Sequence, residues 1–183
     1  MSKYFTVAAA LALLTALFVP VSVASETGSG QIADLVTAWN EVGGKLVAMA
    51  EDFPEDKYDY RPTPEVRTFA EQLLHVAGST YFFAGLAKGE TPGEEDLSRE
   101  KYKTKAEIVA AVKKAVADGE AFMRKSGEGG LERSVKLPWE EKPVTERSLW
   151  ILNLEHAGEH YGNLVVYYRL NGIVPPASRQ SGN

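Results

Sequence analysis

Two histidines four residues apart, His156 and His160, stand in the stretch Asn153-Leu-Glu-His-Ala-Gly-Glu-His-Tyr-Gly-Asn163. On an α-helix, positions i and i+4 lie one above the other on the same face. Neutral imidazoles placed this way can converge on a single metal ion, and helical metal sites use this spacing. At about 100° per residue, the same face carries Leu149, Leu152, Asn153, Asn163, Leu164 and Tyr167. The pair therefore sits in a largely apolar stripe. A lone histidine on such a face is commonly a hydrogen-bonded core residue. Two on one inward stripe raise the question of a third ligand, and the chain has one further histidine, His75.

If the helices that carry them are neighbours, His75, His156 and His160 form a tripod. Three neutral ring nitrogens suit a first-row divalent ion, with zinc, nickel and iron all chemically reasonable. A closed structural zinc site takes four protein ligands, and this chain has no cysteine and no fourth histidine. Three ligands leave a position open to water or substrate, as catalytic sites do. A carboxylate, Glu71 or Glu159, is the alternative occupant of that position. Glu71, one turn before His75, is the candidate for orienting that ring or for proton transfer, although it also sits where a helix cap is expected.

The His-Glu-x-x-His motif of the zincin hydrolases places a general base directly after the first histidine. Here that position is Ala157. Glu155 and Glu159 flank the ligands but fall on another helical face, and Tyr161 and Tyr167 read as core packing.

Four helical segments are available to position these groups. Ile32, Leu35, Val36, Trp39, Val42, Leu46, Val47 and Ala50 recur at helical spacing up to about Asp52, where Pro54 ends the run. Gly43-Gly44 within it costs helix stability and implies a close neighbour. Residues 53–67 hold Pro54, Pro62 and Pro64 with Tyr58 and Tyr60, and read as a long connection pinned by aromatics. Thr68 and Glu71 form a capping box that opens the second helix, which carries His75 and stops near Lys88-Gly89.

After a charged loop, Thr104 and Glu107 form a second capping box. The third helix follows, with Ile108, Val109, Val112, Val116, Phe122 and Met123 on its apolar face, and ends at Ser126-Gly127. Residues 134–137 alternate but are too few to predict a sheet. The fourth helix runs from about Thr145 to Leu170, with Asn171-Gly172 as its C-terminal signal. The expected fold is all-α, a four-helix bundle over residues 31–177 with long connections, followed by a flexible polar tail at 178–183.

Residues 1–24 read as a signal peptide. Lys3 gives the positive n-region, residues 6–19 are apolar apart from Thr6 and Thr15, and Ser22-Val23-Ala24 offers a small-residue cleavage site. Pro20 ends the apolar run at the length of an h-region rather than a membrane span. Cleavage after Ala24 or Ser25 is expected, with no membrane attachment afterwards and, in a bacterium, a periplasmic or secreted product. The absence of cysteine excludes disulfides, a catalytic thiol and an N-terminal lipid anchor. A net charge of −5 without a block of Lys or Arg argues against nucleic acid or an anionic membrane as partner.

The run from His156 through Arg169-Leu-Asn-Gly172 to Pro176 resembles the C-terminal signature of the DinB/YfiT-like superfamily. Residues 58–69 and the following Leu73-Leu74-His75-Val76 resemble the same family's entry into its second helix. The resemblance spans about residues 31–177 and is specific in its two histidine motifs, looser through the third helix. It implies an up-down-down-up four-helix bundle, often a homodimer, that binds a divalent metal through three histidines; the matching positions are His75, His156 and His160. It also implies metal-dependent chemistry on a small molecule, since relatives include thiol-dependent S-transferases and isomerases.

An oxidising compartment holds little reduced thiol, so export favours metal-activated water, and hydrolysis, over thiol transfer. The leading expectation is an exported metal-dependent enzyme, a hydrolase or transferase. Its competitors are a non-catalytic metal- or ligand-binding module and a bundle that holds metal only for stability.

Overall fold

The computed structural model describes residues 30–90 and 97–179. Among them four long helices form: α1 (Gln31–Asp52), α2 (Phe69–Ala87), α3 (Lys105–Gly130) and α4 (Glu146–Leu170). The signal-peptide expectation over residues 1–24 lies outside the described residues. No helix among those described is long and apolar enough to cross a membrane.

Local chemistry sets the helix ends. Thr68 caps α2 by accepting from the Glu71 N–H at 3.2 Å, and Glu71 reaches back to the Thr68 N–H at 2.7 Å. Thr104 and Glu107 repeat this box at α3. Thr145 caps α4 through the Ser148 N–H. The regular part of α3 breaks where the sequence places its end: Gly127 has φ 64°, a conformation open to glycine, and one further turn carries the chain to Gly130.

Side-chain pairings fix the helix directions. Along α1, Trp39, Gly43 and Glu51 meet Gly119, Val116 and Lys113 of α3, so those helices are antiparallel. Tyr81 pairs with Asp118, while Lys88, just beyond α2, lies over Phe122, so α2 runs parallel to α3. Gln72 meets His160, and Phe83 meets His156, so α2 and α4 are antiparallel. Lys45 lies over Tyr161, and Met49 accepts from Tyr168, so α1 and α4 are parallel. The result is an up-down-down-up bundle in which α1 touches α3 and α4, and α2 touches the same two. The bundle expected from the sequence is the one observed.

The α1–α3 seam is the closest. A Cβ on Gly43 would stand 2.6 Å from Val116 Cγ1, and one on Gly119 would stand 2.7 Å from Trp39 Cζ2. Trp39 cannot retreat, since its Nε1–H donates to the Val116 carbonyl at 2.8 Å. Gly44 meets nothing within 4 Å, so only the first glycine of the pair makes the close approach.

The connection over residues 53–68 is pinned by aromatics, as its composition suggests. Phe53 stacks on Phe69 at 3.9 Å, Tyr58 meets Phe69 edge-on, and Tyr58 donates to the Ala50 carbonyl. A two-residue antiparallel ladder, β1 (Ser134–Val135) with β2 (Val144–Thr145), closes a hairpin where no sheet was expected. Its base is held by the fully buried Glu146, which accepts from Ser126, from Trp150 Nε1 and from Arg133. Its tip carries Trp139. At the other end, Arg179 grips Asp52 with two hydrogen bonds, so the chain stays anchored through the second residue of the tail expected to be flexible.

Candidate metal centre

His75 lies about two turns into α2, and His156 and His160 lie on adjacent turns of the antiparallel α4. The ring centroids are 5.1 Å apart for His75 and His156, 4.7 Å for His75 and His160, and 4.4 Å for His156 and His160. One nitrogen from each ring lies within 4.8 Å of the other two. A tetrahedral ion bonded at about 2.1 Å to each would hold its ligand atoms about 3.4 Å apart, leaving at most about 1.4 Å for the side chains to close. The three histidines singled out in the sequence are thus positioned close enough to hold one metal ion.

Their protonation suits that task. Burial lowers the His75 pKa to about 4, helped by the charge of Arg67 and by His156. Burial likewise lowers His160 to about 4, with His156, His75 and Arg67 adding to it. His156 is lowered by burial against the upward pull of Glu159. All three rings are neutral at pH 7 and offer lone pairs, the form a metal binds.

Hydrogen bonds select the free nitrogens. Tyr167 donates to the Arg67 carbonyl, so its oxygen accepts from Gln72 Nε2, at 3.5 Å. Gln72 then turns Oε1 toward His160 Nδ1, 2.7 Å away. An amide oxygen only accepts, so Nδ1 carries the proton and Nε2 is left for the ion. His156 Nε2 is buried and has no hydrogen-bond partner. An orphaned buried ring nitrogen facing two other imidazoles is what a metal ligand looks like without its metal.

Glu71 does not orient the His75 ring, the first of the two roles expected for it. Its carboxylate closes the α2 cap and lies 3.5 Å from Arg61, and no hydrogen bond joins it to His75. Glu155 and Glu159 are exposed, on the face opposite the core. The ring-orienting residue is Gln72, adjacent in sequence to Glu71 and bonded to His160 rather than His75. Its signal in the sequence was a polar amide on the inward side of α2, one turn before His75. One turn before His156, Asn153 is fully buried with both amide atoms unpartnered, a second unsatisfied group on the inward face of α4.

His75 and His156 open onto a cavity of about 1000 Å³. Its walls include Leu74, Phe82, Phe83, Leu97 and Trp139, and its rim carries Arg61, Arg67, Arg99, Glu65 and Glu71. His160 lies deeper, against Gln72. Two of the three residues that would hold a metal therefore line the cavity.

Comparison with known proteins gives a consistent picture. The family model described as DinB superfamily matches residues 38–164. A Bacillus subtilis (strain 168) protein described as uncharacterized protein YjoA is 29% identical over 125 residues, covering 68% of this chain and 80% of that protein. The crystal structure of that DinB-like protein superposes with a TM-score of 0.64 at 26% identity, over 76% of this chain and 92% of the other. A DinB-like protein from Bacillus cereus ATCC 10987 superposes with a TM-score of 0.67 over 79% of this chain and 95% of the other; at 13% identity that likeness speaks to the fold alone.

Proposed function

The chain belongs to the DinB superfamily, and from that premise we propose that it is an exported metal-dependent enzyme acting on a small molecule. His75, His156 and His160 hold the divalent ion. The observation that carries this reading is the buried, unpartnered Nε2 of His156 beside His75 at the floor of a roomy cavity. A structural metal needs no such access, whereas a catalytic one does.

When bound, the ion supplies an anionic nucleophile at neutral pH by lowering the pKa of a coordinated water or thiol. The protein's own groups do the rest. Gln72 fixes the tautomer and aim of His160. Burial keeps all three rings deprotonated at their binding nitrogens. Leu74, Phe82 and Phe83 give the cavity an apolar wall on which a substrate body can displace water. The signal-peptide reading of residues 1–24 supports export, and export supports hydrolysis over thiol transfer.

The test is turnover. Tag-free mature protein, loaded in turn with zinc, nickel and iron, is assayed on small esters and on thiol addition to small electrophiles. Activity on one class, lost on chelation and in His156→Ala, is expected. Stoichiometric but rapidly exchanging metal with no turnover of either class would make the protein a binding module instead.

A further inference from the structure

Arg67 directly precedes the N-cap of α2 and is exposed on the rim of the cavity whose floor holds His75 and His156. Three arginines line that cavity, and two are already neutralised. Arg99 grips Asp59 with two hydrogen bonds of 2.9 and 3.1 Å. Arg61 faces Glu71 at 3.5 Å. The Arg67 guanidinium has no hydrogen bond or ion pair among the described residues. Of the rim carboxylates, Glu71 is engaged by Arg61 and by the helix cap, and Glu65 makes no ion pair with Arg67 among the described residues.

Backbone contacts set the position of Arg67. Tyr167 donates to the Arg67 backbone carbonyl, and the same hydroxyl accepts from Gln72, which holds His160. The segment that presents Arg67 is thereby tied through three hydrogen bonds to the metal centre. The same cavity is lined by Phe82 and Trp139, whose rings are nearly parallel, 14° apart in plane with centroids at 6.1 Å.

We propose that Arg67 anchors the substrate: its guanidinium holds a carboxylate on a small molecule whose flat apolar body lies along Phe82 and Trp139. The proposal rests on the reading of this cavity as the substrate site and narrows its substrate class. Guanidinium donates two parallel N–H bonds to a carboxylate, a match that a neutral amide of the same shape cannot make. With Arg61 and Arg99 already paired, recognition of the anion falls, among the described residues, to Arg67.

The test uses phenylacetate, phenylacetamide and phenylphosphonate as probes, titrated calorimetrically into tag-free mature protein, both metal-free and zinc-loaded. Phenylacetate should bind the metal-free wild type about tenfold more tightly than the amide, the ratio of a charge-assisted to a neutral contact. Arg67→Gln should abolish that preference, and Arg67→Lys, a point charge without the fork, should keep part of it. Thermal melting checks that both variants are folded, as expected for a side chain without partners.

Equal binding of phenylacetate by wild type and Arg67→Gln would overturn the proposal, as would no binding up to about 10 mM. Tighter binding of phenylphosphonate than of phenylacetate would overturn the carboxylate assignment. The metal-free arm separates the two readings. An Arg67-dependent preference in a chain that takes up no metal would leave this inference standing and remove the metalloenzyme. A metal-binding chain indifferent to Arg67→Gln would do the reverse.

Discussion

Gln72 on α2 and His160 on α4, 88 positions apart in the chain, share a 2.7 Å hydrogen bond that leaves His160 Nε2 as the free nitrogen. That contact locks the register of the two helices that carry the candidate ligands. Groups that support metal-binding histidines in this way are worth about 10–100-fold in metal affinity. Gln72→Leu should therefore weaken zinc binding by about that factor while the fold persists, as read by competition with a chromogenic chelator. Unchanged affinity would show that the amide only packs.

The metal-free protein should lose stability as pH falls through the histidine range. His75 and His160 titrate at about 4 when folded and at about 6.5 when unfolded. Between those values the unfolded chain binds more protons, so stability is full above about pH 6.5 and declines toward pH 4. Thermal melts of metal-free protein across this window should slope downward with acid, and less steeply in His75→Leu. Equal slopes in the two proteins would contradict the buried, neutral assignment.

Asn153 buries both amide atoms without partners. Replacing an unsatisfied buried polar group by an apolar one of similar shape is neutral to stabilising. Asn153→Leu should leave the metal-free protein unchanged or raise its stability by about 1–2 kcal/mol, measured by urea unfolding. A loss of stability would mean that the amide has a partner, such as a buried water, that it needs.

The two glycines of α1 should answer oppositely to the same change. Gly43→Ala drives a Cβ against the branched Val116 side chain and should destabilise by about 1–3 kcal/mol, as overpacking does. Gly44→Ala has open space and should stabilise by about 0.5–1 kcal/mol through helix propensity. The pair of urea midpoints decides. A similar shift in both would show that α1 and α3 are less closely packed than described.

His156 and His160 were legible because their spacing is a local property: i and i+4 on one helix can be read without knowing the fold, and His75 followed as the one other histidine in the chain. The two capping boxes and the glycine break at Gly127 were legible for the same reason. The role of Gln72 was not, because its partner lies on another helix and only the register of α2 against α4 brings them together. Glu71 was the more visible neighbour on the same helix, but its carboxylate is engaged by the cap it forms with Thr68. No spacing in the sequence singles out Arg67; its significance comes from the pairing of Arg61 and Arg99, which leaves it as the unpaired arginine of the cavity lining among the described residues. The short ladder at Ser134–Val135 escaped because two residues have no periodicity to detect.

The central claim is that His75, His156 and His160 form one metal site, and metal content tests it most directly. Tag-free mature protein and its His156→Ala variant, each offered zinc, nickel and iron in turn, are measured by elemental mass spectrometry. The account predicts about one equivalent of one metal per wild-type chain and essentially none in the variant. A wild type that takes up no metal, or a variant that retains the full equivalent, would contradict it.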